Sequence, residues 1–208
     1  MAIQTYYVSK VGNNYVSKNF KVKEFQSHDG ADKVLIDTNL VDFLQRIRTH
    51  FGRAVTISSA YRTASYNASV GGSSSSYHTK GQACDIQIQG VSPVIVGMYA
   101  QTIGVGGIGV YSYPTGGFVH IDTRAVKYRW LTIVRGGSYQ QISKVMPTIA
   151  QGRNNVFNAV VLLQRKLNVS QSGTFGDVTT KAVRNFQAKY GLGVDGIVGE
   201  KTWRALFL

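Results

Sequence analysis

The chain has 208 residues, long enough for one large domain or two small ones, and its 43% apolar content can furnish a real core. No run of about 18 apolar residues is present, so there is no candidate membrane-spanning helix and no membrane insertion is expected. The formal net charge is +13, spread as 15 basic against 7 acidic residues in 1–150 and 8 against 3 in 151–208, which favours an anionic partner such as an acidic cell-wall polymer, anionic lipid or nucleic acid. No Lys/Arg run, zinc-finger spacing or RNA-binding aromatic motif accompanies the charge, so no specific nucleic acid is expected.

Met1 to Phe20 is polar and Tyr-rich, without the apolar stretch of a signal peptide. The lone Cys84 excludes an intrachain disulfide and suits folding in a reducing compartment. Residues 3–16 alternate loosely around Gly12-Asn13-Asn14 and read as a short hairpin or arm. Over 34–51, Leu40, Val41, Leu44, Ile47 and Phe51 share one helical face, with Asp37 or Thr38 to cap its start and Gly52 to end it. Residues 55–60 read as a strand, and 61–70 as a short helical or irregular piece closed by Gly71-Gly72. The run Ser73 to Ser76 is a loop.

Residues 83–89 alternate as a strand, with Cys84, Ile86 and Ile88 on one face and Asp85 and Gln87 on the other. Ser92-Pro93 opens a helix that stops at Gly104. Gly106 to Tyr111 is a glycine-rich strand or turn, and 118–123 is a further strand. Strands and helices mix without regular βαβ alternation, which predicts an α+β fold with an antiparallel sheet.

From 136 to 155, Gly, Ser, Gln and Pro mark a linker between a catalytic unit over 1–135, including an arm over 1–16, and a small unit over 156–208. The small unit reads as three helices, at 156–167, 177–190 and 200–207. Two similar phrases precede its second and third helices: Ser172-Gly173-Thr174-Phe175-Gly176 and Asp195-Gly196-Ile197-Val198-Gly199. They imply a three-helix domain built by duplication. Tyr190 and Trp203 are candidates either for sugar stacking or for its core.

The chemistry concentrates in Ser76 to Asp85 and Phe118 to Asp122. Zinc takes imidazole nitrogen and carboxylate oxygen, and a catalytic site uses three protein ligands plus water. His78, Asp85 and His120 supply that set, and Gly81 permits the turn between the first two. Alternation along the second strand places His120 and Asp122 on one face, with Arg124 to follow. His50, at a helix end, is assigned no chemistry, and His28-Asp29-Gly30 reads as a turn that could edge the site.

Residues 17–135 resemble the zinc D-Ala-D-Ala carboxypeptidase family, which includes the L-alanyl-D-glutamate endopeptidases of bacteriophage endolysins. The resemblance is carried by Ser59-Ala60-Tyr61-Arg62, Tyr66-Asn67 with Gly71-Gly72, Ser76-x-His78-x-x-Gly81-x-Ala83-x-Asp85, and His120-x-Asp122. It implies zinc on His78, Asp85 and His120, and it implies that Arg62 orients the substrate by binding a carboxylate or the developing oxyanion.

Many members carry a proton acceptor two or three residues before the last ligand, where this chain has Phe118 and Gly117. Asp122 is then either the catalytic base or a partner that steers a ligand histidine. Glu24 and Asp29 are more distant candidates for the base.

Residues 156–208 resemble the peptidoglycan-binding domain of cell-wall hydrolases, through Leu163-Gln164-x-x-Leu167, Gly173-x-Phe175-Gly176, Thr180-x-Ala182-Val183-x-x-Phe186-Gln187 and Asp195-Gly196-x-Val198-Gly199. Together the two resemblances imply a zinc-dependent peptidoglycan peptidase of endolysin type. It would reside in the host cytoplasm until a holin releases it to the wall, acting on stem peptides while its second domain holds glycan. The rival reading is a non-catalytic wall-binding or virion structural protein that keeps the zinc fold.

Overall fold

The structure, a computed structural model, describes residues 2–208. It opens with β1 (Ile3–Tyr7), α1 (Val8–Val11), β2 (Lys33–Asp37) and α2 (Thr38–Phe51). β1 pairs antiparallel with β2, from Ile3 opposite Asp37 to Tyr7 opposite Lys33, instead of forming a hairpin within residues 3–16. The reason lies in β2, where Val34 and Ile36 alternate inward and are buried, as a strand requires. The helix therefore starts at Thr38. The Asp37 carboxylate caps it by accepting from the Asn39 N–H at 2.9 Å, and Gly52 ends it in the left-handed conformation at φ 61°.

The central unit continues with β3 (Val55–Ser59), α3 (Ala64–Ser69), β4 (Ala83–Ile88), α4 (Pro93–Thr102), β5 (Gly107–Ser112), β6 (Gly117–Asp122), β7 (Tyr128–Thr132) and β8 (Gln140–Ile142). Its six strands run in the order β3-β4-β6-β5-β7-β8. Every neighbouring pair is antiparallel except β5–β7, which is parallel. The fold is thus α+β, as the mixed element order predicts.

α4 packs against one face of this sheet, over Ile108 and Val110. Gly97 lets it approach closely, since a Cβ there would lie 2.7 Å from Cγ2 of Val110. Cys84, Ile86, Val119 and Ile121 are buried in the same core. The opposite face carries Asp85 and His120.

Residues 136–155, expected as a linker, are mostly exposed but are anchored to the fold at several points. Gln140–Ile142 extend the sheet, and Val145, Met146, Ile149 and Ala150 are buried. The chain then forms α5 (Phe157–Lys166), α6 (Asp177–Lys189) and α7 (Glu200–Phe207), and Ile149 bridges to Val198 between the last two.

The duplication in this last unit is visible in its hydrogen bonds. Gln164 accepts from the Gly173 N–H nine residues on, and donates to the Thr174 carbonyl and the Thr179 hydroxyl at offsets of 10 and 15. Gln187 repeats the pattern with Gly196, Ile197 and Thr202 at the same offsets of 9, 10 and 15. Each buried amide ties a helix to the following turn and to the start of the next helix. Trp203 is fully buried, with its indole N–H donating to the Pro147 carbonyl at 2.9 Å, so it is core and does not offer a face to sugar. Tyr190 is exposed and stacks on Phe186 at 4.4 Å.

The helical unit is docked on the sheet. Arg165 reaches the Ser112 and Ile133 carbonyls, at 3.3 Å each, and Asn158 donates to the Leu131 carbonyl at 2.9 Å. Among the described residues no helix is long and apolar enough to cross a membrane.

Candidate active site

Register brings the site together. Asp85 on β4 lies opposite His120 on β6, His120 lies opposite Gly109 on β5, and Gly109 pairs with Trp130 on β7. This row crosses the sheet on the face away from α4. His78 enters from a single 3₁₀ turn, His78–Lys80, that precedes β4. Gly81 closes the turn at φ 67°, and a Cβ there would meet the Leu35 carbonyl at 2.3 Å, so β2 can pass over it only because the residue is glycine.

Three donor atoms converge. His78 Nε2 is 3.2 Å from His120 Nδ1 and 3.5 Å from Asp85 Oδ1, and His120 Nδ1 is 3.0 Å from Asp85 Oδ1. Tetrahedral zinc with bonds of ~2.0–2.1 Å places its ligand atoms about 3.3–3.4 Å apart, so this triangle fits one face of such a site. The imidazoles are oriented for it. His78 Nδ1 sits 2.6 Å from the Ala60 carbonyl, which accepts its proton and leaves Nε2 as the free lone pair. His120 Nε2 donates to Asp122 at 3.1 Å, which leaves Nδ1 free.

The electrostatics describe a cluster built around a cation. Burial pushes the Asp85 carboxyl up, but hydrogen bonds with His120 and His78 outweigh it and hold the group well below the usual carboxylate range. Burial likewise opposes charge on His120, yet hydrogen bonds with Asp122 and Asp85 raise its pKa to about 9 in the metal-free chain. In that state a proton supplies the positive charge that the three donors share.

Asp122 is fully buried. Besides His120, its oxygens accept from the Gly107 N–H at 3.0 Å, the Arg124 N–H at 3.0 Å and the Arg124 guanidinium at 2.5–2.9 Å. Burial raises its pKa, and the bonds to His120 and Arg124 outweigh that and hold it low. The Arg124 guanidinium in turn lies 4.6 Å from the Tyr77 ring centroid and 5.2 Å from that of Tyr128.

Arg62 donates to the Ser59 hydroxyl through Nε and to Asp85 Oδ2 through Nη2, both at 2.9 Å. Its guanidinium therefore holds the second oxygen of the carboxylate whose first oxygen faces the histidines.

A cavity of about 640 Å³ opens over these groups. Arg62, His78, Asp85 and His120 line it, together with the loop Gly71–Ser76 and a wall of Tyr111, Phe118, Trp130 and Tyr139. Asp85 is the one carboxylate lining it among the described residues. Phe118 stacks on Tyr111 with ring centroids 4.1 Å apart. Glu24 accepts from the Lys21 N–H, and Asp29 accepts from Thr63 and Ala31, so both are engaged outside the cavity. His28 contacts Tyr66, and His50 stacks on Tyr99.

Trp130 and Tyr111 escaped the sequence reading. Trp130 lies on β7, a strand not anticipated there, and Tyr111 belongs to a stretch whose glycines hid its alternation. Gly109 is the link between them: a Cβ at this position would fall 2.2 Å from the Trp130 ring, so the missing side chain lets the indole lie beside His120, with centroids 5.1 Å apart.

A His-Asp-His donor triangle at the floor of a cleft, with a guanidinium beside it, is the arrangement of a metallopeptidase. Residues 13–122 match the family model described as "Peptidase M15", and the chain belongs to that family. Residues 157–206 match "Putative peptidoglycan binding domain".

The chain is similar to the "Peptidoglycan L,D-endopeptidase MepK" of Escherichia coli strain K12, at 34% identity over 126 residues covering 56% of this chain and 68% of that protein. It is also similar to the "Probable peptidoglycan L,D-endopeptidase MepK" of Haemophilus influenzae, at 37% identity over 100 residues. That match covers 44% of this chain and about half (53%) of the relative's length. The site's donors are those that zinc prefers, so the residues present fit the metal expected of this family.

Proposed function

We propose that this chain is a zinc-dependent peptidoglycan endopeptidase that hydrolyses a bond between an L- and a D-configured residue of the stem peptide or its cross-link. The observation that carries the reading is the triangle of His78 Nε2, Asp85 Oδ1 and His120 Nδ1, with sides of 3.0–3.5 Å, in a chain that also carries a wall-binding domain. The relatives' names support the choice of an L,D bond.

His78, Asp85 and His120 would hold the metal. When bound there, zinc supplies Lewis acidity for a carbonyl oxygen and brings the pKa of water towards neutrality. The protein's own groups do the rest. The Ala60 carbonyl and Asp122 fix the two imidazoles in the tautomers that offer a lone pair. Asp122 acts as this orienting partner and not as the base, because its oxygens are already filled by four donor groups and it lies outside the cavity wall. Arg62 lines the cavity with one nitrogen of its fork, Nη1, not engaged by any described residue, and it binds a substrate carboxylate or the oxyanion.

We extend this reading to an endolysin, a phage-encoded lytic enzyme that reaches the wall from the host cytoplasm after holin action. The pairing of a peptidase with a wall-binding domain and the net charge of +13 support it, since long-range attraction keeps a basic enzyme near an anionic wall. Mass spectrometry of purified peptidoglycan digested by the zinc-loaded chain tests the bond assignment. Fragments with a new terminus between L- and D-residues are expected. Fragments cut only at D,D bonds would reject it.

A further inference from the structure

Under the peptidase reading, negative charge grows on the carbonyl oxygen of the scissile amide within this cavity, and Arg62 need not be the sole donor to it. The wall of the cavity supplies a donor. Tyr111 stands on β5 two residues beyond Gly109, on the same face of the sheet as His120 and in the row next to it, opposite Phe118. Its ring is stacked on Phe118 and its side chain lines the cavity with His78, Asp85, His120 and Arg62.

Its hydroxyl oxygen accepts the Trp130 indole N–H at 3.0 Å. That bond fixes the oxygen and occupies an acceptor position, and the hydroxyl's own proton has no acceptor among the described residues. Trp130 is itself fixed, packed beside His120 through the gap at Gly109. Burial raises the Tyr111 pKa, with the Asp85 charge adding to that and the Arg62 charge opposing it, so both charged groups of the site act on this phenol. The hydroxyl is therefore a protonated donor at neutral pH.

We propose that Tyr111 is a catalytic residue of the peptidase reaction, donating a hydrogen bond to the carbonyl oxygen of the scissile amide as that oxygen gains negative charge, and that Trp130 is the residue that positions it. No proton is transferred in this step: the phenol keeps its hydrogen, and the bond shortens and strengthens as charge develops. Such a donor acts in the transition state more than in the ground state, so its loss falls on kcat. The assignment rests on the peptidase reading above.

Tyr111→Phe removes only the hydroxyl and keeps the ring stacked on Phe118. On a soluble cross-linked muropeptide, with zinc content matched to wild type, kcat is expected to fall about 100-fold while KM changes less than about threefold. Affinity for a phosphinate analogue of an L-Ala–D-Glu dipeptide, whose anionic oxygen mimics the charged carbonyl, should fall in parallel. Trp130→Phe, which leaves the hydroxyl but frees it, should lose about tenfold in kcat.

A Tyr111→Phe enzyme with kcat within about twofold of wild type, or with undiminished phosphinate affinity, would overturn the assignment and leave the peptidase reading standing. A zinc-loaded wild-type chain that cleaves nothing would overturn the peptidase reading, and this assignment with it.

Discussion

Replacing Asp122 by asparagine changes one atom and, through it, the tautomer of His120. In the native site the buried carboxylate accepts from His120 Nε2 at 3.1 Å, from the Gly107 and Arg124 N–H groups at 3.0 Å each, and from the Arg124 guanidinium. An amide has one acceptor and one donor. With its NH₂ towards His120, the ring keeps the contact only by moving its proton to Nδ1, the atom aimed at Asp85 and His78, and a protonated Nδ1 cannot bind metal. With the amide flipped, the Gly107 and Arg124 N–H groups face a donor instead, and each unpaired buried group costs about 1–3 kcal/mol.

Both outcomes weaken the site. Zinc affinity of Asp122→Asn is therefore expected to fall 10- to 100-fold, or about 1.4–2.7 kcal/mol, with activity at limiting zinc falling in proportion. Competition against a chromophoric chelator measures the affinity, and urea unfolding of the metal-free chains measures the second cost. An Asp122→Asn chain that binds zinc as tightly as wild type while losing turnover would refute the orienting role and restore Asp122 as a base.

Gly109→Ala would drive a methyl to 2.2 Å from the Trp130 ring, so the indole must leave His120; a stability loss of about 1–3 kcal/mol and a changed Trp fluorescence are expected, checked by chemical denaturation. Metal uptake should release a proton, because His120 is held near a pKa of about 9 without metal and must be neutral to bind it. Apparent zinc affinity thus rises with pH, about tenfold per unit through the neutral range, and levels off above about pH 9. Calorimetry in buffers of different ionisation enthalpy reads the proton directly. Gln187→Ala removes the amide that joins α6 to Gly196, Ile197 and Thr202, and should lower the unfolding midpoint of the C-terminal helices and their retention on purified walls, measured by a sedimentation assay.

What could be read in the sequence was what is local. His78, Gly81 and Asp85 fall within one short phrase, and His120 and Asp122 within another, so chemistry and spacing are visible without knowing which strands pair. Helix α2 carries its apolar face and both caps in consecutive text, and the C-terminal duplication shows as the two phrases Gly173-x-x-Gly176 and Gly196-x-x-Gly199, whereas the paired Gln164 and Gln187 amides behind it appear only in the structure. Long-range pairing was not legible in the same way. β7 joins β5 in parallel after a connection through β6, and neither Tyr128–Thr132 nor Gln140–Ile142 has a hydrophobic pattern that announces it.

Val34 and Ile36 lie ahead of the helix cap at Asp37, and their strand partner, Ile3–Tyr7, is far away in sequence, so the β1–β2 pairing could not be read locally. Trp130 could not be assigned to the site from its neighbours. Its place depends on a missing Cβ at Gly109, a residue on another strand, and the Tyr111 hydroxyl depends in turn on Trp130. The text around 136–155, rich in Gly, Ser and Gln, reads as a linker, whereas Val145, Met146 and Ile149 within it are buried.

Titrating zinc into the metal-free chain on purified peptidoglycan, while counting newly released amine termini, tests the central claim most directly. Amine release should rise in step with bound zinc, saturate at one zinc per chain and vanish on chelation. A chain that holds one zinc through His78, Asp85 and His120 and still frees no amine would contradict the account.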